Sequence, residues 1–383
     1  MSLETIHQAL TEFGAAHHRI EQERYAVDEL LDSQTAPAVY GFNTLLGHHD
    51  NREATVGDQE HLLDAHLVGP VSSFPSSWGK LLTRVKLAQL SHGGSGVHPD
   101  TYKRLELFLT FPDDQVWEGN WTSSYSCGDV VPGTWFVHNL RQHGVDAPHH
   151  RGDLIALING SFVSTAAGLI VAQRFCELTA AALALIESVS HRRGIRGVQK
   201  SVTMRDVSPL RNLVETANIT LIDALTNRLV NPSANPIFTF GKHTVPHSQS
   251  SFLDFTLTTA LTQAAQTCSA AAAYVKGAVT ELVSHDTPGA TARVQPVKII
   301  EALIREMSAF PSPSHFGLTE SNGVEDVADL SLLAARTLAS LLTRLEQVFD
   351  IACDVCGDAP VADVDPFPEC VNAAKEVLPL LAI

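Results

Sequence analysis

Along most of the chain, apolar residues return every three or four positions, the period of a helix with one buried face. The first 34 residues carry it through Ile6, Leu10, Phe13, Tyr25, Val27, Leu30 and Leu31, and end at a Ser33-to-Pro37 break. The same pattern predicts helices over Asp58 to His66, over Trp78 to Leu90, and over residues 99 to 114, the last stopped at Pro112. Polar positions gather around residues 141 to 153, and beyond them the periodic runs lengthen. Leu154 to Ser188 reads as one or two helices, and Leu210 to Val230 carries Val214, Ala217, Leu221, Leu225 and Leu229 in one stripe. Phe252 to Val283 is rich in Ala and Thr, Lys298 to Met307 is shorter, and Glu325 to Cys353 places Leu330, Ala334, Leu338, Leu341, Leu345 and Val348 on one face. No alternating run competes in strength, so the expected class is mainly α: long antiparallel helices in a bundle, with loops clustered at their ends. The polar stretch predicts a division into an N-terminal region over 1–150 that carries the catalytic loops and a long-helix body over 151–383.

Composition narrows the partners. A formal net charge of -16, from 42 acidic against 26 basic residues and without a basic run, argues against nucleic acid and anionic membrane surfaces. The longest apolar stretch, Ala166 to Ile186, is interrupted by Gln173, Arg174, Glu177 and Thr179 and reads as a buried helix. Six cysteines, at 127, 176, 268, 353, 356 and 370, form no disulfide framework, and the start of the chain does not resemble a signal peptide, so the expected location is the cytoplasm. Cys353-Asp-Val-Cys356 is a lone CxxC in a helical context and reads as packing. His48-His49-Asp50-Asn51 has ligand chemistry, but adjacent residues on one loop seldom converge on one ion, so no metal is expected. The glycines of Gly93-Gly94-Ser95-Gly96 lack the Lys-Ser/Thr of a phosphate loop.

The stretch with the most chemistry is Ser124-Tyr125-Ser126-Cys127-Gly128-Asp129-Val130-Val131-Pro132. Small residues at 126 to 128 permit a tight bend, Gly128 tolerates positive φ, and Asp129 is placed to cap the following helix. A thiol at that helix start would have its anion favoured by the dipole; the alternative is a buried small residue at a cap. Tyr40, on the Gly-flanked loop Ala38 to Gly47, presents a phenol either for proton transfer or for packing.

Seven short stretches, in order over roughly residues 38 to 350, resemble the aromatic amino-acid ammonia-lyase and aminomutase family. Tyr40-Gly41-Phe42-Asn43-Thr44 resembles its YGxNTGFG loop, Gln59 to Gly69 its ring-selecting helix, and Ser126-Cys127-Gly128-Asp129 its Ala-Ser-Gly-Asp. Leu154 to Ser161 is similar to ALxNGT, Asp206 to Arg211 to DPYSLR, Asn235-Pro236-Ile237 to DNPL, and Ser321 to Asp326 to SxNQED. The resemblance implies a fumarase/aspartase-like helical bundle, a homotetramer with composite active sites, and a role in amino acid metabolism or biosynthesis. It implies a methylidene-imidazolone electrophile made from Ser126-Cys127-Gly128 by cyclisation, with no other cofactor. Uptake of the substrate by that electrophile turns its amine into a leaving group, and a tyrosine base then removes the β-proton. Tyr40 would be that base, Asn159 would support the prosthetic group or the amine, Arg211 would hold the carboxylate, Glu325 would contact the amine, and His66 would face the substrate ring. Each role has a plain alternative: Asn159 as a helix cap, Arg211 and Glu325 as a structural ion pair, and His66 as a satisfied core histidine.

The chain departs from the family at several of these positions. Cys127 stands for serine and Ser126 for alanine, Ser208 and Val207 replace the Tyr and Pro of DPYSLR, and Lys242 to Ser251 offers no counterpart of GGNFHG. The expected activity is β-elimination, amine migration or the reverse addition on an amino acid or related amine-carboxylate. The alternatives are a repurposed enzyme without the electrophile, performing another elimination, addition or cyclisation, and a non-catalytic binding subunit.

Overall fold

The structure is a computed structural model that describes residues 2–46, 49–112, 114–124, 127–192, 201–253, 255–284, 290–310, 312–313, 317–320, 325–356, 364 and 367–383. The chain is mainly helical, as its periodicity predicts. The region before residue 150 contributes α1 (Leu3–Thr11), α2 (His17–Leu31), α3 (Asp58–His66), α4 (Ser76–Ser91), α5 (Pro99–Phe108) and α6 (Val130–Gln142). The body adds α7 (Asp153–Ile158), α8 (Phe162–Arg192), α9 (Val202–Arg205), α10 (Ser208–Val230), α11 (Phe255–Ser284), α12 (Ala290–Ser308), α13 (Ser331–Cys356), α14 (Glu369–Ala373) and α15 (Leu378–Leu381). The long helices α8, α10, α11 and α13 pack on one another, and α1, α4 and α6 lie against them. One apolar core runs through both regions, from Ile6, Trp78 and Trp117 to Leu261 and Leu342. Its stability rests on burial of these side chains.

Small residues let the central helices approach. Ala260, Ala264, Ala271, Ala272 and Ala278 of α11 are buried, so its neighbours meet close to its backbone. Asp153–Ser190 is long and apolar enough to cross a membrane by length and composition, and its most apolar 18-residue window is buried within the protein.

Three expectations about the elements are corrected. The helix from residue 99 ends at Phe108, because the ammonium of Lys80 takes the carbonyls of Phe108, Leu109 and Phe111 and closes it early. The helix expected from Lys298 begins at Ala290 and runs through Pro296. Glu325 is not helical: it opens β6 (Glu325–Val327), antiparallel to β5 (Gly317–Glu320). Helix α13 starts only at Ser331, where the Asp329 carboxylate accepts the Ser331 N–H at 2.9 Å. Two further ribbons, β1 (Ser72–Phe74) with β2 (Trp117–Gly119) and β3 (Ile237–Thr239) with β4 (Val245–His247), are too short for a period of two to register.

Candidate functional site

Cys127, Gly128 and Asp129 form the turn into α6; Tyr125 and Ser126 lie outside the described residues. Gly128 has φ 83° and Asp129 φ 47°, so the backbone here is left-handed. Asp129 occupies the N-cap position of α6 but does not cap it. Its carboxylate turns to the first turn of α8, accepting the Ser164 N–H at 2.8 Å and the Ser164 hydroxyl at 2.9 Å. It therefore caps α8, which corrects the sequence expectation. Burial pushes Asp129 up to about 6, against the two Ser164 bonds.

The expected thiolate at Cys127 is also corrected. The half-buried thiol is pushed up to about 12 by burial and by the carboxylates of Glu325 and Asp326. The fold thus brings Glu325 into the field of Cys127.

Asn159 ends α7 as its C-cap residue, and the Gly160 N–H donates to the Gly128 carbonyl at 3.1 Å. The Asn159 amide and the Phe252 ring both crowd Gly128: a methyl group added there would lie 3.3 Å from Asn159 Nδ2 and 3.4 Å from Phe252 Cγ. Asn159 Oδ1 is buried without a hydrogen-bond partner among the described residues. Beneath it the Lys86 ammonium, from α4, donates to the Asn159 carbonyl at 2.7 Å and sits 4.7 Å from the Phe162 ring centroid. Burial pushes Lys86 down to about 7, with Asp129 opposing the shift. Arg228, at the end of α10, pairs with Asp329 and donates to the Phe252 carbonyl at 2.8 Å. Asp329 also accepts the Thr258 hydroxyl, so one carboxylate ties α10, α11 and α13 together. Helices α6, α8, α11 and α13 begin around this point, and their positive poles favour negative charge developing there.

The other residues singled out in the sequence fall as follows. Tyr40 lines a cleft of about 200 Å³ with Asp50, Pro236, Pro246 and Ser248; Cys127, Gly128 and Asn159 are not in its lining. The Tyr40 loop rests on α7, where Gly41 has φ 71° against the Ile155 side chain, one turn before Asn159. His66 Nδ1 is 2.7 Å from the Leu62 carbonyl of its own helix. Arg211 pairs with Glu187 of α8 and not with Glu325. Seventeen positions separate Arg211 from Arg228 on α10, about 26 Å along the axis, so its own chain does not bring it to Gly128. Gly47, His48 and Ser321 to Val324 lie outside the described residues.

Sequence reasoning missed Lys86, Phe252 and the Arg228–Asp329 pair. Lys86 left no distinct signal: Arg84 and Gln89 share the same mostly apolar run from Leu81 to Leu90. It also missed a surface group, His98, Asp100 and His150, whose ligand atoms lie within 4.8 Å of one another. The two rings stack 3.4 Å apart at 14°, so their lone pairs lie in nearly parallel, separated planes, and one ring must turn before both meet a single ion head-on.

Residues 4–110 match the sequence model of the aromatic amino acid lyase family. Among solved structures, the chain is similar to Pantoea agglomerans phenylalanine aminomutase, with TM-score 0.71 at 15% identity, covering 99% of this chain and 97% of that one. It is similar to tyrosine aminomutase from Streptomyces globisporus, with TM-score 0.72 at 15% identity over 100% and 95% of the two chains. Histidine ammonia-lyase from Trypanosoma cruzi gives TM-score 0.67 at 17% identity over 99% and 92%. No curated protein matches in sequence. The resemblance read from the motifs is therefore met by the N-terminal match and by the fold, which is that of the ammonia-lyases and aminomutases.

Proposed function

We propose that the protein is a carbon–nitrogen lyase or aminomutase acting on an amino acid or a related amine-carboxylate. The observation that carries this reading is the grip on Gly128: the Gly160 N–H holds its carbonyl, the Asn159 amide lies where a side chain would be, and Asn159 Oδ1 is buried with no partner among the described residues. An acceptor left open in such a place asks for a donor that the described residues do not supply.

The residues fit a methylidene-imidazolone built from Ser126-Cys127-Gly128. Ring closure joins the Gly128 nitrogen to the Ser126 carbonyl carbon, and that oxygen leaves as water with the two amide protons. Loss of the Cys127 Cα proton and of its sulfur as hydrogen sulfide then gives the exocyclic double bond. Gly128 has no side chain to obstruct closure, and the thiol is held in its neutral form. When formed, the ring supplies an electrophile that activates the substrate amine as a leaving group. The chain's own residues do the rest: Asn159 Oδ1 accepts from the substrate amine, the Glu325 and Asp326 carboxylates attract the incoming ammonium group, which must give up a proton before its nitrogen can bond, and the helix poles favour the charge left at the β-carbon. Tyr40 is the base in this reading, delivered by its loop, and Arg211 holds the carboxylate from a neighbouring copy.

Intact-protein mass spectrometry tests it. The expected mass is that of the encoded chain less one water and one hydrogen sulfide; a mass equal to the encoded chain sinks the electrophile and, with it, this chemistry. A thiolate nucleophile at Cys127 draws no support from a thiol pushed up to about 12.

A further inference from the structure

Lys86 is 1% exposed, and its hydrogen bond is to a main-chain carbonyl. Burying an ammonium disfavours its charge, and an apolar side chain of the same length would fill the space against Phe162 without that cost. The bond it makes is informative because of what lies on the far side of the same peptide group. The carbonyl of the Asn159–Gly160 peptide accepts from Lys86 at 2.7 Å, and its N–H donates to the Gly128 carbonyl at 3.1 Å. Hydrogen bonds in series polarise one another, by roughly 10–30% per bond. A Lys86 N–H donor at one end therefore makes the Gly160 N–H a stronger donor at the other.

We propose that Lys86 is a positioning residue for ring closure, holding the left-handed Gly128 through the Asn159–Gly160 peptide so that the conformation of the ring-closing glycine is fixed. This inference rests on the electrophile reading of the site. Glycine has more freedom to lose than any other residue, and without an anchor Gly128 samples conformations from which its nitrogen does not reach the neighbouring carbonyl. Three neighbours restrict it: the Gly160 N–H on its carbonyl, and the Asn159 amide and the Phe252 ring, both packed against the position a side chain would take. Lys86 acts on the first two together, because both belong to Asn159–Gly160. It also ties α4 to the end of α7, so the anchor is as rigid as the two helices that carry it.

The test compares the native protein with Lys86→Met, which keeps the stem and removes the donor, and with Lys86→Gln, which keeps an N–H for the carbonyl. Mass spectra of equally aged preparations read the fraction that has lost water and hydrogen sulfide. Amide hydrogen exchange reads protection around Gly160. In Lys86→Met the matured fraction is expected to fall about tenfold or more, and protection around Gly160 to fall about tenfold while α11 is unchanged. Lys86→Gln is expected to recover part of both. Native behaviour in Lys86→Met overturns the proposal, and Lys86→Gln no better than Lys86→Met assigns the effect to packing and overturns it as well. If the native protein itself carries its full encoded mass, the electrophile reading falls. The exchange comparison then still reads the Lys86 anchor separately: lost protection in Lys86→Met supports the anchor, and unchanged protection overturns it.

Discussion

At the scale of single residues, the site depends on groups held in states that water would not favour. Asp129 is raised from its ordinary value of 3.8 to about 6 by burial. The folded protein therefore binds its proton more readily than the unfolded chain between those values, and the stability it contributes is full below 3.8 and lost as pH rises through about 6. Asp129→Asn keeps an acceptor for Ser164 and tolerates the left-handed backbone. Thermal melting of this variant is expected to lose that decline in stability over the same window, and an unchanged pH profile counts against a buried, titrating Asp129. Gly160 is a second such residue. Its φ is 122°, and a methyl group there would approach the Ser233 carbonyl oxygen to 2.6 Å. Gly160→Ala is expected to destabilise the protein by about 2 kcal/mol or more in a denaturant titration.

At the scale of elements, the ends of helices do the work, and their partners are often distant in sequence. Ser164 receives its cap from Asp129, 35 residues earlier. Ser164→Ala keeps the main-chain bond and removes the hydroxyl, and is expected to lower stability by about 1 kcal/mol. Combined with Asp129→Asn, the two losses are expected to be smaller than their sum, because they share one interaction. The helix bodies were legible in the chain: α3 spans Asp58–His66 as its pattern predicts, and α10 differs by two residues at its start. The ends were legible only where the cap is local. α5 stops at Phe108 because Lys80 reaches it from another helix, and nothing near residue 108 announces that. Glu325 read as helix because the apolar stripe of α13 begins soon after it, whereas pairing with β5 places it on a strand.

At the scale of the whole molecule, the bundle gathers the turn at Gly128, the end of α7 and the starts of α8, α11 and α13 at one place, and leaves Arg211 about 26 Å along α10 from Arg228. A carboxylate held by Arg211 over Gly128 then requires a second copy of the chain. The protein is expected to behave as a tetramer in light scattering, and a monomer at working concentration would count against composite sites. Ile219, on the same exposed stretch of α10, is 63% exposed, and such apolar surface favours burial between copies.

The sequence alone determined the helical class, most helix bodies and the ordered motifs, because periodicity and short turns are local properties of the chain. It also marked Gly128 and Asn159 as neighbours of the chemistry. Tertiary structure decided what those residues meet. It turned Asp129 from its own helix to α8, replaced an expected thiolate at Cys127 with a neutral thiol between burial and two carboxylates, and set Lys86 beneath Asn159. Each of these depends on desolvation and on contacts across 35 to 199 positions of the chain, as from Asp129 to Ser164 and from Cys127 to Glu325 and Asp326. No local pattern encodes such distances, so the turn that the sequence marked acquired its electrostatics only when the helices packed around it.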